Sequence, residues 1–229
     1  MNNSLPPPAD IGFLVGLKAE ASLLRQFFPG SPVAISGATR EGAQKGAARL
    51  IASGVPSVVS FGLAAGLDPA LRPGTILVPD AVVADGRLYP CSPAVRRRLG
   101  ADAAPGVVAG ALLHSDVVVL TAEEKQRLAM ESGCCALDME SGFLAEAAQA
   151  VKRPFGVLRV VCDPAERTLP PAAGIALSPD GGLGAGALMS SLLRNPLQIG
   201  SLIRLGGDAS RARHAMRRFL EVKASAVMS

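Results

Sequence analysis

A three-layer α/β fold is what this sequence predicts, on three observations. Short apolar runs alternate with stretches of helical apolar spacing, no internal repeat interrupts the alternation, and the acids Glu20, Glu140 and Asp163 fall where apolar runs end. In such folds the chemistry-bearing side chains stand at the carboxyl ends of the strands. A length of 229 residues suits one large domain with a sizeable core. Residues 1–9 read as a loose leader, since Pro6-Pro7-Pro8 follows no basic start or apolar stretch, and residues 10–229 read as a single domain.

The elements follow in order. Ile11–Gly16 is a strand closed by glycine, and Ala19–Leu24 carries helical spacing up to Pro29-Gly30. The turn between them, at Gly16, offers backbone amides to an anion and places Glu20 in the first helical turn. On its own Glu20 reads as a solvated helix acid. Val33–Gly37 is a second strand and Glu41–Ile51 a small-residue helix. Val58–Leu67 is a buried strand running into a loop at Gly62 and Ala65, where glycine permits positive φ and a close ligand approach, or simply a turn. Asp68–Gly74 is a proline-bounded turn before a strand at Thr75–Asp80. Residues 84–112 show no regular pattern.

Leu113–Leu120 is predicted as a strand, with His114 as an ordinary polar strand residue; Thr121 with Glu124 then opens a helix reaching about Met130. Phe155–Cys162 is a strongly apolar strand interrupted by Arg159, a buried charge that needs a partner. Asp163, at the strand's end and four residues from Arg159, is a candidate general acid in a cleft, although Asp before Pro also starts ordinary turns. Gly181–Gly186 reads as a loop, followed by helices at 187–194, 196–205 and about 208–222.

Composition excludes several classes of function. Hydrophobic residues make up 49% and charged residues 18%, so the chain is not disordered, and no apolar run is long enough to span a bilayer. A cytoplasmic setting is the expectation. The net charge of +4 is concentrated in Arg204, Arg211, Arg213, Arg217 and Arg218, while aromatics are only 3%. Basic residues without stacking faces argue against a nucleic-acid partner. They leave peripheral contact with the inner face of a membrane, or a solvated helix. Cys91, Cys134, Cys135 and Cys162 lack metal-type spacing and read as buried thiols, and no metal is expected.

The junction Cys135–Ala145 organises the rest. A short apolar run carrying Asp138, Met139 and Glu140 gives way to a helix, Phe143, Leu144, Ala147, Ala148 and Val151 marking its apolar face. In an extended chain Asp138 and Glu140 point one way and Met139 the other, an arrangement suited to a sugar diol beside an apolar ring. The same acids would also favour the positive end of that helix, by roughly 0.3–1 kcal/mol each.

Taken in order, Gly-x-x-x-Glu after the first strand, Ser-Phe-Gly-Leu-Ala-Ala-Gly-Leu, Asp-Met-Glu-Ser and Arg-Val-Val-Cys-Asp resemble the purine nucleoside phosphorylase and methylthioadenosine/S-adenosylhomocysteine nucleosidase superfamily, across about residues 11–165. The runs Ser60–Asp80, Leu137–Glu146 and Asp163–Pro171 look most like its hopanoid-associated phosphorylase branch. The resemblance implies a phosphorylase/hydrolase-like fold with a central mixed β-sheet flanked by helices, and a homo-oligomer. It implies cleavage of the N-glycosidic bond of an adenine nucleoside, most like adenine release from adenosylhopane. Methylthioadenosine or S-adenosylhomocysteine hydrolysis, general purine nucleoside phosphorolysis, and nucleoside binding without turnover are the alternatives. No cofactor is implied; phosphate is a candidate co-substrate.

Residue by residue, the resemblance gives Glu140 the ribose hydroxyls, Met139 a packing role against the nucleoside, and Asp163 the purine N7. Glu20 would position or activate water, Arg159 would support Asp163, and Val118 and Val119 would line the base pocket. Gly16, Gly62 and Ala65 would form the anion or water site. Leu63 and Ala65 stand where the family usually has serine and glycine, and Cys162 where serine is common. These departures weaken the case for phosphate and strengthen that for water.

Overall fold

A computed structural model describes residues 10–102, 106–170, 173 and 199–227. In chain order the elements are β1 (Ile11–Val15), α1 (Lys18–Phe27), β2 (Val33–Ile35), α2 (Arg40–Ala52), β3 (Ser57–Gly66), β4 (Ile76–Leu77), β5 (Ala81–Ala84) and β6 (Arg87–Pro90). Then come α3 (Pro93–Leu99), β7 (Val107–Val108), β8 (Ala111–His114), α4 (Ala122–Ser132), β9 (Ala136–Asp138), α5 (Ser141–Ala150), β10 (Phe155–Asp163) and α6 (Ile199–Val227). The leader at 1–9 and the expected loop and helix at 181–194 lie outside the described residues.

Ten strands form one mixed sheet, with β3 at its centre. β3 runs parallel to β1, Ile11 opposite Ser57 and Val15 opposite Phe61, and parallel to β10, Phe155 opposite Val58 and Arg159 opposite Gly62. Its last residues pair antiparallel with β9, Ala65 opposite Leu137, and β8, β5 and β6 extend the sheet from there. β4 and β7 extend it beyond β10.

Helices cover both faces, giving the three layers expected. On one face Ala47 and Leu50 of α2 and Leu144, Ala145 and Ala148 of α5 pack with Leu14, Val58, Val157 and Val161. On the other, Leu24 of α1, Val95 and Leu99 of α3, and Ala212, Met216 and Leu220 of α6 pack with Phe13, Phe61, Leu158 and Val160. The strands are apolar on both faces because both faces are covered.

Four expectations about elements are corrected. The strand expected at Leu113–Leu120 ends at His114: Ser115 N donates to Asp138 O, but its Oγ then engages the backbone of Val117 on both sides and turns the chain. The strand at Thr75–Asp80 shrinks to Ile76–Leu77, with Pro79 supplying no N–H for a ladder. Residues 84–112 hold β6, α3, β7 and the first half of β8; Ser92 accepts from Val95 N and Gly100 closes α3 with left-handed φ. The helices expected at 196–205 and 208–222 are one helix through Gly206-Gly207 wherever they are described.

Candidate active site

The site is built around the register of β3 and β10. Arg159 lies opposite Gly62, and the missing side chain leaves room for a guanidinium and a carboxylate. A Cβ at Gly62 would fall 2.5 Å from Glu20 Oε1 and 2.6 Å from Arg159 Nη1, at a φ of +153°. Glu20 arrives from the first turn of α1. Its Oε2 accepts from Gly16 N and Leu17 N, both at 2.9 Å, and its Oε1 from Leu63 N at 3.0 Å. The glycine-closed turn after β1 therefore feeds its amides to a carboxylate of the same chain.

Asp138 and Glu140 arrive from the β9–α5 junction and meet the same guanidinium. Arg159 Nη2 donates to Glu140 Oε2 at 3.0 Å and Ser60 Oγ at 2.6 Å and forms an ion pair with Asp138; Nη1 donates to Leu63 O at 3.1 Å. Ser36 Oγ donates to Glu140 Oε1 at 3.5 Å, and Gly16 approaches so closely that a Cβ there would stand 2.9 Å from that oxygen. Ser141 holds Asp138 through its N–H at 3.2 Å and its hydroxyl. All of these charged side chains are buried, Arg159 to 1% exposure.

Three carboxyls thus face one guanidinium away from water, and the charges respond. Burial pushes Glu140 up to about 7 against the pull of Arg159, with Asp138 and Glu20 adding to the rise. Burial likewise raises Glu20, with Arg159 and the three amides opposing. For Arg159, burial disfavours the charge but Asp138, Glu140 and Glu20 outweigh it, and its pKa rises.

Asp163 ends the same strand, beyond a bulge at Cys162 that brings it opposite Ala65. A bulge re-aims the side chain that follows it. Arg159 does not support Asp163 as expected; among the described residues its four hydrogen-bond and ion-pair partners are those above. Nearness in sequence misleads here, because strand register, not sequence distance, selects the partners of a side chain that crosses to β3. Lys125 of α4 instead reaches Asp163 Oδ2 at 2.5 Å, Pro164 O at 3.0 Å and Arg167 O at 2.9 Å, with its ammonium fully buried. Asp163 Oδ1 has no hydrogen-bond partner among the described residues. Burial raises Asp163, with Lys125 pulling the other way.

Val119 is buried against Leu67, Cys134 and Leu137, and Val118 is half-buried beside it, in the loop between β8 and α4. That loop is tied to the segment after Asp163, since Leu169 N donates to Leu120 O and Ala122 N to Thr168 Oγ1. Met139 is half-buried between Asp138 and Glu140. His114 is packed edge-on against Phe143, its Nδ1 4.0 Å from Asp138. Of the cysteines, Cys91 and Cys134 are buried while Cys135 and Cys162 are half-buried, and all four are free. Lys125, Ser36 and Ser60 escaped the sequence reading. Ser60 opens a motif quoted above, whereas Lys125 in a helix of charged residues carries no local signal.

Comparison with known proteins places this architecture. The Phosphorylase superfamily model matches residues 19–174, and the chain belongs to that superfamily. No curated protein sequence matches it. Among solved structures it is similar to Helicobacter pylori 5′-methylthioadenosine/S-adenosyl homocysteine nucleosidase, at TM-score 0.70 and 16% identity, over 96% of this chain and 99% of that one. It is also similar to the Neisseria meningitidis 5′-methylthioadenosine/S-adenosylhomocysteine nucleosidase in complex with methylthio-immucillin-A, at TM-score 0.65 and 16% identity, over 93% and 98%. Futalosine hydrolase of Helicobacter pylori matches at TM-score 0.62 and 20% identity, over 80% and 97%.

Proposed function

We propose that this protein is an enzyme that cleaves the N-glycosidic bond of an adenine nucleoside with water, and that adenosylhopane is its substrate. The observation that carries the reading is the buried group of Glu20, Asp138 and Glu140 around Arg159, on the strand that ends in Asp163. Superfamily membership and the nucleosidases among similar folds support the bond; the runs Ser60–Asp80, Leu137–Glu146 and Asp163–Pro171 support the hopanoid branch.

Breaking the bond between C1′ and N9 builds positive charge on the sugar and negative charge on the base. An excess of carboxyl over guanidinium groups favours the first, and an acid at N7 favours the second. Glu140 accepts from the ribose hydroxyls, Met139 lies against the nucleoside, and Val118 and Val119 line the base. Glu20, its carboxyl raised by burial against the pull of Arg159 and three backbone amides, holds the attacking water and takes its proton.

Water is favoured over phosphate by two features. The amides of Gly16, Leu17 and Leu63, which could otherwise cradle an anion, are taken by Glu20. An entering phosphate would also meet three acids against one guanidinium.

Self-association is proposed from the superfamily. Membrane contact through α6 is proposed from its arginines and a cavity of about 490 Å³ lined by Arg211, His214 and Arg218 with Pro73, Gly74 and Thr75. Each basic residue near anionic lipid would add about 1 kcal/mol. Among the described residues no helix is long and apolar enough to cross a membrane, and no group of three or more His, Cys, Asp or Glu could hold a metal ion.

The test is adenine release from adenosylhopane in detergent micelles, with methylthioadenosine as competitor. Adenosylhopane should be the better substrate, and Asp163→Asn should release adenine roughly 10²–10⁴-fold more slowly. Turnover of methylthioadenosine alone would overturn the hopanoid reading; adenine binding with no turnover of either would overturn the enzyme.

A further inference from the structure

Lys125 is a fully buried ammonium with no place in the proposed chemistry, and all three of its donors are accounted for: Asp163 Oδ2, Pro164 O and Arg167 O. Three acceptors around one nitrogen, one of them a carboxyl oxygen at 2.5 Å, is the environment of a charged –NH₃⁺, since a neutral amine offers only two hydrogens. The contact occupies one carboxylate oxygen of Asp163 and leaves Oδ1 without a partner among the described residues. A buried carboxyl with one oxygen clamped to a cation and one free has a fixed orientation and a stabilised anion.

We propose that Lys125 sets the acidity of Asp163, stabilising the carboxylate formed when Asp163 gives its proton to the leaving purine. The proposal rests on the reading of Asp163 as the leaving-group acid. As the bond between C1′ and N9 breaks, its electron pair goes to the base, N7 takes the proton from Asp163 Oδ1, and water adds its oxygen to C1′ and gives a proton to Glu20. Asp163 is left as an anion against an ammonium that stays protonated throughout. Lys125 is a positioning residue that acts through Asp163 and touches no substrate.

Asp163 also faces Cys162 on its own strand, Arg167 in the segment that follows, and Asp208 on α6. Arg167 and Asp208 pair with each other, which among the described residues leaves Lys125 as the cation that holds Asp163 directly. Lys125 also fastens the backbone of residues 164–167, so a structural role must be separated from an electrostatic one.

The separating readout is the pH dependence of kcat. In Lys125→Met the activity lost at high pH, where Asp163 gives up its proton, should move up by more than about one pH unit, because removing the cation makes Asp163 a weaker acid. The plateau of kcat should fall by roughly 10–100-fold with KM nearly unchanged. Lys125→Arg keeps the charge and should restore the limb. A limb that stays in place in Lys125→Met, whatever the rate, would leave Lys125 a fastener of the loop and overturn the proposal.

Two measurements do not depend on turnover. The side-chain nitrogen NMR signal of Lys125 in the wild type should be that of an ammonium, as its three acceptors require; a neutral amine overturns the proposal even if Lys125→Met does not fold. A carboxyl-carbon NMR titration should place Asp163 higher in folded Lys125→Met than in the wild type; equal values overturn it. If the wild type releases no adenine, the functional reading falls while these two measurements still decide the pairing.

Discussion

At position 62 the absence of a methyl group decides whether an acid and a guanidinium can share one space. Gly62→Ala would set its Cβ within 2.6 Å of both Glu20 and Arg159, on a backbone of positive φ. Because neither charge can leave the cluster cheaply, the variant should lose about 1–3 kcal/mol of stability, read by urea unfolding. It should also release adenine roughly 10²-fold more slowly, since displacements of an ångström cost that much; a fully active variant would mean that Glu20 and Arg159 are not held together for catalysis. Gly62 was legible in the sequence as a turn or a place of close approach, and Glu20, Glu140 and Asp163 as acids at the ends of apolar runs. What was not legible is who faces whom. Arg159 was matched to the acid nearest in sequence, yet the register of β3 and β10 gives it to Asp138 and Glu140, and Lys125 comes to Asp163 from a helix 38 residues away in the chain.

At the scale of elements, α6 shows how tertiary packing overrides a local breaker. Gly206-Gly207 weakens a helix by about 1 kcal/mol per glycine, which is why the sequence reads as two helices. Ala212, Met216 and Leu220, spaced four apart, bury one face against the core, and Asp208 anchors the turn beside the glycines. Asp208 is buried, its partner Arg167 partly exposed and Arg211 exposed, and their hydrogen bonds outweigh burial to hold its carboxyl below the usual range. Asp208→Asn should therefore destabilise by about 1–2 kcal/mol, less than the 3–5 of a fully buried pair, as a lower midpoint in thermal unfolding. No change would place the anchor of α6 in its apolar face alone. The misread strand at Leu113–Leu120 has the same lesson in reverse. Its β-branched Val117–Val119 run has strand propensity, but the hydroxyl of Ser115 takes the backbone of Val117 and ends the ladder.

For the whole molecule, buried acids make stability depend on pH in a direction opposite to the usual one. Glu140 rises from 4.5 to about 7 in the fold, so the native state holds a proton that the unfolded chain has lost. Its contribution is complete below the unfolded value and is lost as pH climbs toward 7; Glu20 and Asp163 shift in the same direction. Asp208, depressed, contributes above its unfolded value and loses that contribution as pH falls. The melting temperature should thus decline from mildly acidic to neutral pH, and Glu140→Gln should flatten that decline. A midpoint that rises over this interval would show that the acid cluster is fully ionised in the fold. The layered fold itself was legible because apolar runs and helical spacings are local, whereas this charge cluster depends on strand order.

The most direct test of the central claim is the sugar product formed with phosphate in excess. Release of adenine together with the free sugar, at a rate phosphate does not change, is the predicted result. A sugar 1-phosphate, or adenine release that needs phosphate, would contradict it, since the amides that hold Glu20 would then have to open for a second anion.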